Sequence, residues 1–328
     1  MRPTRLLLGV AGAALAVSAC TNQSPDSVGG PSSVGSTSAD SSRHLTVAVV
    51  THSAPGDPFW DVVKSGADRA GSDLDVTVQY NGDPDPTRQS QLIQNAIAQH
   101  VDGLVVSMAN PDGVETAVKA AVAAGIPVVT INSGLDESRA FGAITHVGQS
   151  EALAGEAAGT KFRELGGKKL LCVIHEAGNI GLEDRCAGAA KTFGAAVENL
   201  QVKISNLADV QATIAAKLNA DPSIDSILAL NDSVASAAVQ AEKQTSATAA
   251  IGTFDVSENV TEEISQGQVA FAIDQQPYVQ GYLPIVVIAL KDRNGNDVGG
   301  GQPVYSGPAL VTKDNVAEVA RYAAAGTR

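Results

Sequence analysis

The segment DGLVVSMANPDGVETAVKAAVAAGIPVVTI, residues 102–131, decides the fold. Its two ends, 102–107 and 126–131, are short runs of Leu, Val and Ile that do not alternate with polar residues. Between them, VETAVKAAVAA at 114–124 is an alanine-rich helical segment. A strand that is apolar on both faces is covered on both faces, and strand–helix–strand connectivity places the two strands parallel. The segment is therefore one repeat of a parallel α/β sheet with helices on either side.

The same repeat extends outward in both directions. Upstream, LTVAVV (45–50) precedes a helix near 58–71, and LDVTVQY (74–80) precedes a helix at 87–100 whose Leu92, Ile93, Ala96 and Ile97 recur at helical spacing. Downstream, the strand at 143–148 closes the first unit. A second unit begins with KKLLCVI (168–174), a helix near 182–196, LQVKIS (200–205) and a helix near 208–220. It continues through DSILAL (225–230), a helix from about 233, TAAIGTF (248–254), a further helix and VAFAI (269–273). Two units of similar size predict two doubly wound Rossmann-like domains rather than one wide sheet. A long helix at 277–291, a polar loop at 292–301 and strand pieces at 304–305 and 309–311 remain, and they are expected to cross back between the domains.

The N-terminus has a different character. Arg2 and Arg5 precede an apolar run from Leu6 to Val17, too short for a bilayer span of roughly 20 residues but suited to a secretory signal. Val17-Ser18-Ala19-Cys20 then resembles a lipobox, which implies a signal peptide over 1–19 and lipidation of Cys20. Residues 21–44 are rich in Ser, Gly and Pro without apolar periodicity and are expected to tether the folded part to the extracytoplasmic face of the cell membrane. The formal net charge of −13 argues against nucleic acid as a partner. Cys172 and Cys186, exported to an oxidising compartment, are a possible disulfide; buried thiols are the alternative.

Open α/β sheets bind ligands beyond the carboxyl ends of their strands. The residues there are Asp57, Phe59 and Trp60 in the first unit's opening loop, and Asn132 with Ser133 after IPVVTI. The second unit supplies the stretch from His175 to Arg185, then Asn231-Asp232, Asp255 and Gln275. Carboxylates, amides and a guanidinium bond neighbouring hydroxyls, and aromatic rings stack on the C–H faces of a sugar. Phe59 and Trp60 (the chain's one tryptophan) therefore read as walls of a polyhydroxyl site. Chemistry is sparse: no phosphate-binding glycine loop, no H-E-x-x-H and no nucleophile elbow appear, and the five histidines lack metal spacing. His175-Glu176 is a weak candidate base and partner. Asp292-x-Asn294-x-Asn296 starts like a calcium loop, then has Asp297 and Pro303 where glycine and the bidentate acid belong. No cofactor, metal or catalytic residue is expected.

In sequence order, these motifs resemble the ribose-type (type I) periplasmic sugar-binding proteins of ABC importers over nearly all of 45–312. D-P-F-W at 57–60 is similar to that family's N-P-F-F, H-V-G-Q at 146–149 to its first crossover, and Arg185-Cys-Ala-Gly188 to its R-x-x-G. L-N-D at 230–232, G-T-F-D at 252–255 and Q-Q-P at 275–277 are similar to its A-N-D, G-F-D and Q-x-P. The resemblance implies two lobes on a three-strand hinge, 45–148 plus 276–303 and 149–275 plus 304–328, closing on a ligand. It also implies hydrogen bonds from Asp57, Arg185, Asn231, Asp255 and Gln275, and stacking from Phe59 and Trp60. One departure is Asn132-Ser133, where ribose-type members carry an acid followed by arginine, so a pentose other than ribose, a deoxy sugar or an acyclic polyol is expected. The expected partners are a small neutral sugar or polyol and an ABC permease, with the protein a monomer and not an enzyme. A sensor that presents the closed form to a membrane receptor is the alternative within the binding class, and a secreted sugar-acting enzyme the alternative outside it.

Overall fold

The computed structural model describes residues 43–328. The expected signal segment, Cys20 and the tether up to residue 42 lie outside the described residues. The tether's expected end at 44 moves back, because Arg43 is held between Asp102 (2.8 Å) and Asp292 (2.5 Å).

Two six-stranded sheets carry the chain. The first half runs β1 (Leu45–Thr51), α1 (Pro58–Leu74), β2 (Val76–Gly82), α2 (Pro86–Ala98), β3 (Gly103–Ser107), α3 (Pro111–Ala123), β4 (Val128–Ile131), a single turn α4 (Leu135–Ser138) and β5 (Thr145–Gly148). The second half runs α5 (Glu151–Glu164), β6 (Lys169–Ile174), α6 (Ile180–Phe193), β7 (Ala196–Gln201), α7 (Leu207–Ala220), β8 (Ser226–Ala229), α8 (Asp232–Thr245), β9 (Ala250–Phe254), α9 (Glu258–Ser265) and β10 (Phe271–Asp274). The chain returns through α10 (Pro277–Asn294) and β11 (Val304–Tyr305), then ends with β12 (Ala309–Thr312) and α11 (Val316–Ala324).

The first sheet has the order β11-β5-β4-β3-β1-β2 and the second β12-β10-β9-β8-β6-β7. All pairings are parallel except β10 with β12. In each sheet the strand order reverses beside the first strand, between β1 and β3 and between β6 and β8, which opens a crevice at the carboxyl ends. The apolar central strands are buried throughout, as the runs at 102–107 and 126–131 require.

Two expectations are corrected. The strand expected at 200–205 is instead β7 at Ala196–Gln201, an edge strand open to solvent along much of its length. Edge exposure removes the apolar signal that marks a central strand. The boundary expected at 303/304 also moves, because Val304 and Tyr305 pair with Val147 and Gly148 and extend the first sheet. The return crossing therefore lies between β11 and β12. There Ser306 donates to the Gly148 carbonyl through its N–H (2.7 Å) and to the Gln275 carbonyl through its hydroxyl (2.7 Å), which ties the three crossing segments together.

Cys172 and Cys186 are bonded, joining β6 to α6 with Cα atoms 5.9 Å apart. On the same face, α5 and α6 approach so closely that a Cβ on Gly155 would lie 2.1 Å from the Arg185 carbonyl oxygen. A Cβ on Gly188 would lie 2.2 Å from that of Ala152. Only glycine permits this backbone contact, and it places the start of α5 beside Arg185.

Candidate ligand-binding cleft

Helix starts build the cleft. Asp57, Asn179 and Asn231 are the N-caps of α1, α6 and α8, each accepting a backbone N–H of the following turn from Phe59, Gly181 and Ser233. Capping makes these short polar residues favourable at the strand-to-helix turn, and the sheet topology directs those turns toward one another. Asn132 and Asp255 follow β4 and β9 with φ of +59° and +70°, a left-handed conformation that residues of their kind tolerate better than most. Together these turns line one narrow pocket between the two sheets, with a cavity volume of about 30 Å³. Asp57, Phe59, Trp60, Asn132, Arg185, Asn231, Asp255 and Gln275 all line it.

The walls close on each other directly. The Ile180 N–H donates to the Ala109 carbonyl across the cleft at 3.0 Å. Ser133 Oγ lies 3.4 Å from Asn179 Oδ1, and His52 Nε2 lies 3.9 Å from Glu176 Oε2. A relay crosses the floor: Asn132 Nδ2 donates to Gln275 Oε1 (3.0 Å), and Gln275 Nε2 donates to Asp255 Oδ1 (2.6 Å). Gln275 sits in a crossing segment, so the relay connects the first sheet, the crossing and the second sheet.

Trp60 belongs to both core and wall. It is buried in the same apolar cluster as Val49 and Val63 and meets His52 (centroids 4.8 Å apart) and Phe59 (5.0 Å) edge to face. Arg185 is held by the protein itself. Its Nε and Nη2 donate to Glu151 at 2.6 and 3.1 Å, its Nη1 donates to the Leu230 carbonyl at 3.2 Å, and its guanidinium lies 4.2 Å from the centre of the Phe254 ring. Of its five N–H groups, three are committed inside the protein and two remain.

Electrostatics in the cleft are dominated by acid. Burial pushes the Asp57 carboxyl up to about 7, aided by the charges of Glu176 and Asp232 and opposed by the Phe59 and Trp60 N–H groups. Burial also raises Asp255, to about 8, with Arg185 and Gln275 opposing and Asp232 and Asp57 adding to the rise. Burial drives His52 and His175 down, His175 to about 4, so both are neutral near pH 7. Glu176 is held below its usual value, since His52, His175 and the Asn179 hydrogen bond together outweigh its burial. Burial alone would lower Arg185, but Glu151 more than compensates and keeps it above its ordinary value.

Sequence reasoning missed Glu151. It lies in the first turn of α5, where an acid is ordinarily explained by the helix dipole, and nothing local marks it as 5 % exposed. Asn179 fell inside a stretch whose position after β6 was anticipated without a separate role, and Glu176 was weighed there only as the partner of a candidate base. Among the described residues no group of His, Cys, Asp and Glu has the geometry of a metal site.

The family described as "Periplasmic binding protein domain" matches residues 47–291. The crystal structure of a carbohydrate transporter from Acidothermus cellulolyticus 11B, in complex with myo-inositol, is similar with a TM-score of 0.86 and 45 % identity, covering 87 % of this chain and 100 % of that one. The ribose import binding protein of Bacillus subtilis is 25 % identical over 69 % of this chain and 75 % of its own length. The xylose/arabinose-binding protein of Sulfolobus acidocaldarius is 25 % identical over 71 % of this chain, a match that spans 63 % of its length.

Proposed function

The chain belongs to the periplasmic binding protein family, and from that premise we propose that it is the extracytoplasmic solute-binding component of an ABC importer, taking a small polyhydroxylated ring of the inositol class. The observation that carries this reading is the single pocket whose polar lining comes from separate strand ends of both sheets. The ligand class is supported by myo-inositol in the 45 % identical neighbour.

Asp57, Asn132, Arg185, Asn231, Asp255 and Gln275 bond the ring hydroxyls, and Phe59 and Trp60 cover its C–H surface. The first lobe comprises 45–148 and 276–305, the second 149–275 and the residues from 306 onward. The lobes rotate about the crossing segments at Gly148–Ser150, Asp274–Gln276 and Ser306–Pro308, and the closed form is what the permease receives. The protein acts as a monomer, held to the membrane through a lipid on Cys20, and releases its ligand unchanged. Among the described residues no helix is long and apolar enough to cross a membrane.

Thermal unfolding against pentoses, hexoses, deoxy sugars, acyclic polyols and inositols tests the reading. At a thousandfold excess over Kd, binding adds about 4 kcal/mol to stability. A rise in Tm with an inositol is expected. No rise with any compound would overturn the assignment, and a rise with pentoses alone would replace the ligand class.

A further inference from the structure

The cleft carries more negative charge than a neutral polyol needs. Asp57, Glu176 and Asp255 all line it, and Arg185 is the one cation among its lining residues. That cation is already matched, since Glu151 holds it with two hydrogen bonds at 2.6 and 3.1 Å. Asp57 and Asp255 each make their side-chain hydrogen bonds within the protein through Oδ1, to the Phe59 N–H and to Gln275. At the helix starts, the caps Asp57, Asn179 and Asn231 each already occupy one N–H group of the first turn.

A second, independent feature points the same way. His175 is only 7 % exposed and lines the cavity, and its Nδ1 has no hydrogen-bond partner. In the tautomer that carries its proton on Nε2, the neutral imidazole presents Nδ1 as an acceptor, which suits a donor-only group. Burying carboxylates without a counter-charge is unfavourable, and the cleft answers by retaining protons: Asp57 is pushed up to about 7 and Asp255 to about 8, in both cases chiefly by burial. A ligand that brings its own positive charge would replace those protons.

We propose that the ligand is an amino polyol, an inositol-like ring bearing one ammonium group, seated where Asp57 of the first lobe meets Glu176 and His175 of the second. The proposal rests on the reading given under Proposed function and narrows its ligand class. The ammonium donates to the two carboxylates and to His175 Nδ1, and the ring hydroxyls face Arg185, Asn231, Asp255 and Gln275. Since the carboxylates come from opposite lobes, the cation also joins the lobes and favours closure.

The test is calorimetric titration of the full chain at pH 7.5 with myo-inositol and with a set of amino-deoxy-inositols that differ in the position of the amine. At least one amino compound is expected to bind about tenfold tighter than myo-inositol, a difference of about 1.4 kcal/mol. Glu176→Gln is expected to reduce that preference several-fold while changing myo-inositol affinity less, and Asp57→Asn is expected to weaken both ligands, the amino compound several-fold more. If myo-inositol binds as tightly as every amino compound, or tighter, the proposal is wrong and the inositol reading stands. If the preference exists but survives both substitutions, the seat assigned to the ammonium is wrong. If no inositol of either kind binds, the parent reading fails as well.

Discussion

Removing Glu151 should damage the protein more than its position on the first turn of a helix suggests. Glu151 and Arg185 are 5 % and 4 % exposed and form a two-point ion pair. At a separation of about 4 Å and an effective dielectric of about 20, two such charges attract by about 4 kcal/mol. Breaking a buried pair by deleting one partner costs about 3–5 kcal/mol, because the other charge is left buried without compensation. After Glu151→Ala, Arg185 retains the Leu230 carbonyl at 3.2 Å and the Phe254 ring at 4.2 Å, which together offset only part of the loss. Urea unfolding at pH 7.5 should therefore give a decrease of about 3–5 kcal/mol for Glu151→Ala. The double variant Glu151→Leu with Arg185→Met should recover most of it, since an apolar pair of similar volume carries no unpaired charge. It should still lose ligand affinity, because Arg185 lines the cavity. A Glu151→Ala variant within about 1 kcal/mol of the parent, or a double variant no more stable than the single one, would refute the reasoning.

The empty closed cleft should open as pH rises. The closed form holds the Asp57 and Asp255 protons up to about 7 and 8, whereas the open, solvated carboxyls release them near 4. Closure is thus favoured at low pH and opposed increasingly as pH climbs from about 4 to about 7 and 8, levelling off above that, which small-angle scattering of ligand-free protein at pH 5 and pH 9 would detect as a larger radius at pH 9. An unchanged radius, or the opposite trend, would contradict it. Replacing Cys172 and Cys186 together by alanine removes a cross-link with a sequence separation of 14 and should cost about 3 kcal/mol in urea unfolding. Gly281→Ala places a Cβ 1.8 Å from the Val63 carbonyl oxygen where α10 crosses α1, and should destabilise by about 1–3 kcal/mol; no loss would mean that the helices separate freely. Trp60→Ala should abolish measurable ligand binding and cost about 3–5 kcal/mol, whereas Trp60→Phe should retain most of the stability.

Much of the architecture and the cavity's lining is legible without coordinates. Non-alternating apolar strands such as 102–107 and 126–131 can only be buried on both faces, and helical stretches between them impose parallel pairing. Once the sheets are parallel, the carboxyl-end rule directs attention to Asp57, Asn132, Arg185, Asn231, Asp255 and Gln275, which do share one cavity. These are outcomes of local periodicity and chain connectivity, both of which a sequence contains. The edge strand β7 was less legible, because its solvent exposure weakens the pattern that identifies central strands, and the sheet that β11 joins could not be read from its two residues.

Tertiary structure alone decided the partnerships. Glu151 meets Arg185 because two glycine-lined helices pack backbone to backbone, an approach set by residues distant from either charge. Asn132, Gln275 and Asp255 form a relay because a crossing segment passes between the sheets. The protons retained on Asp57 and Asp255 follow from burial and from carboxylates supplied by other strand ends. Sequence determines which groups reach the mouth of each sheet; the packing of one lobe on the other determines which charges must then be satisfied together, since burial and electrostatic coupling depend on distance in space rather than along the chain.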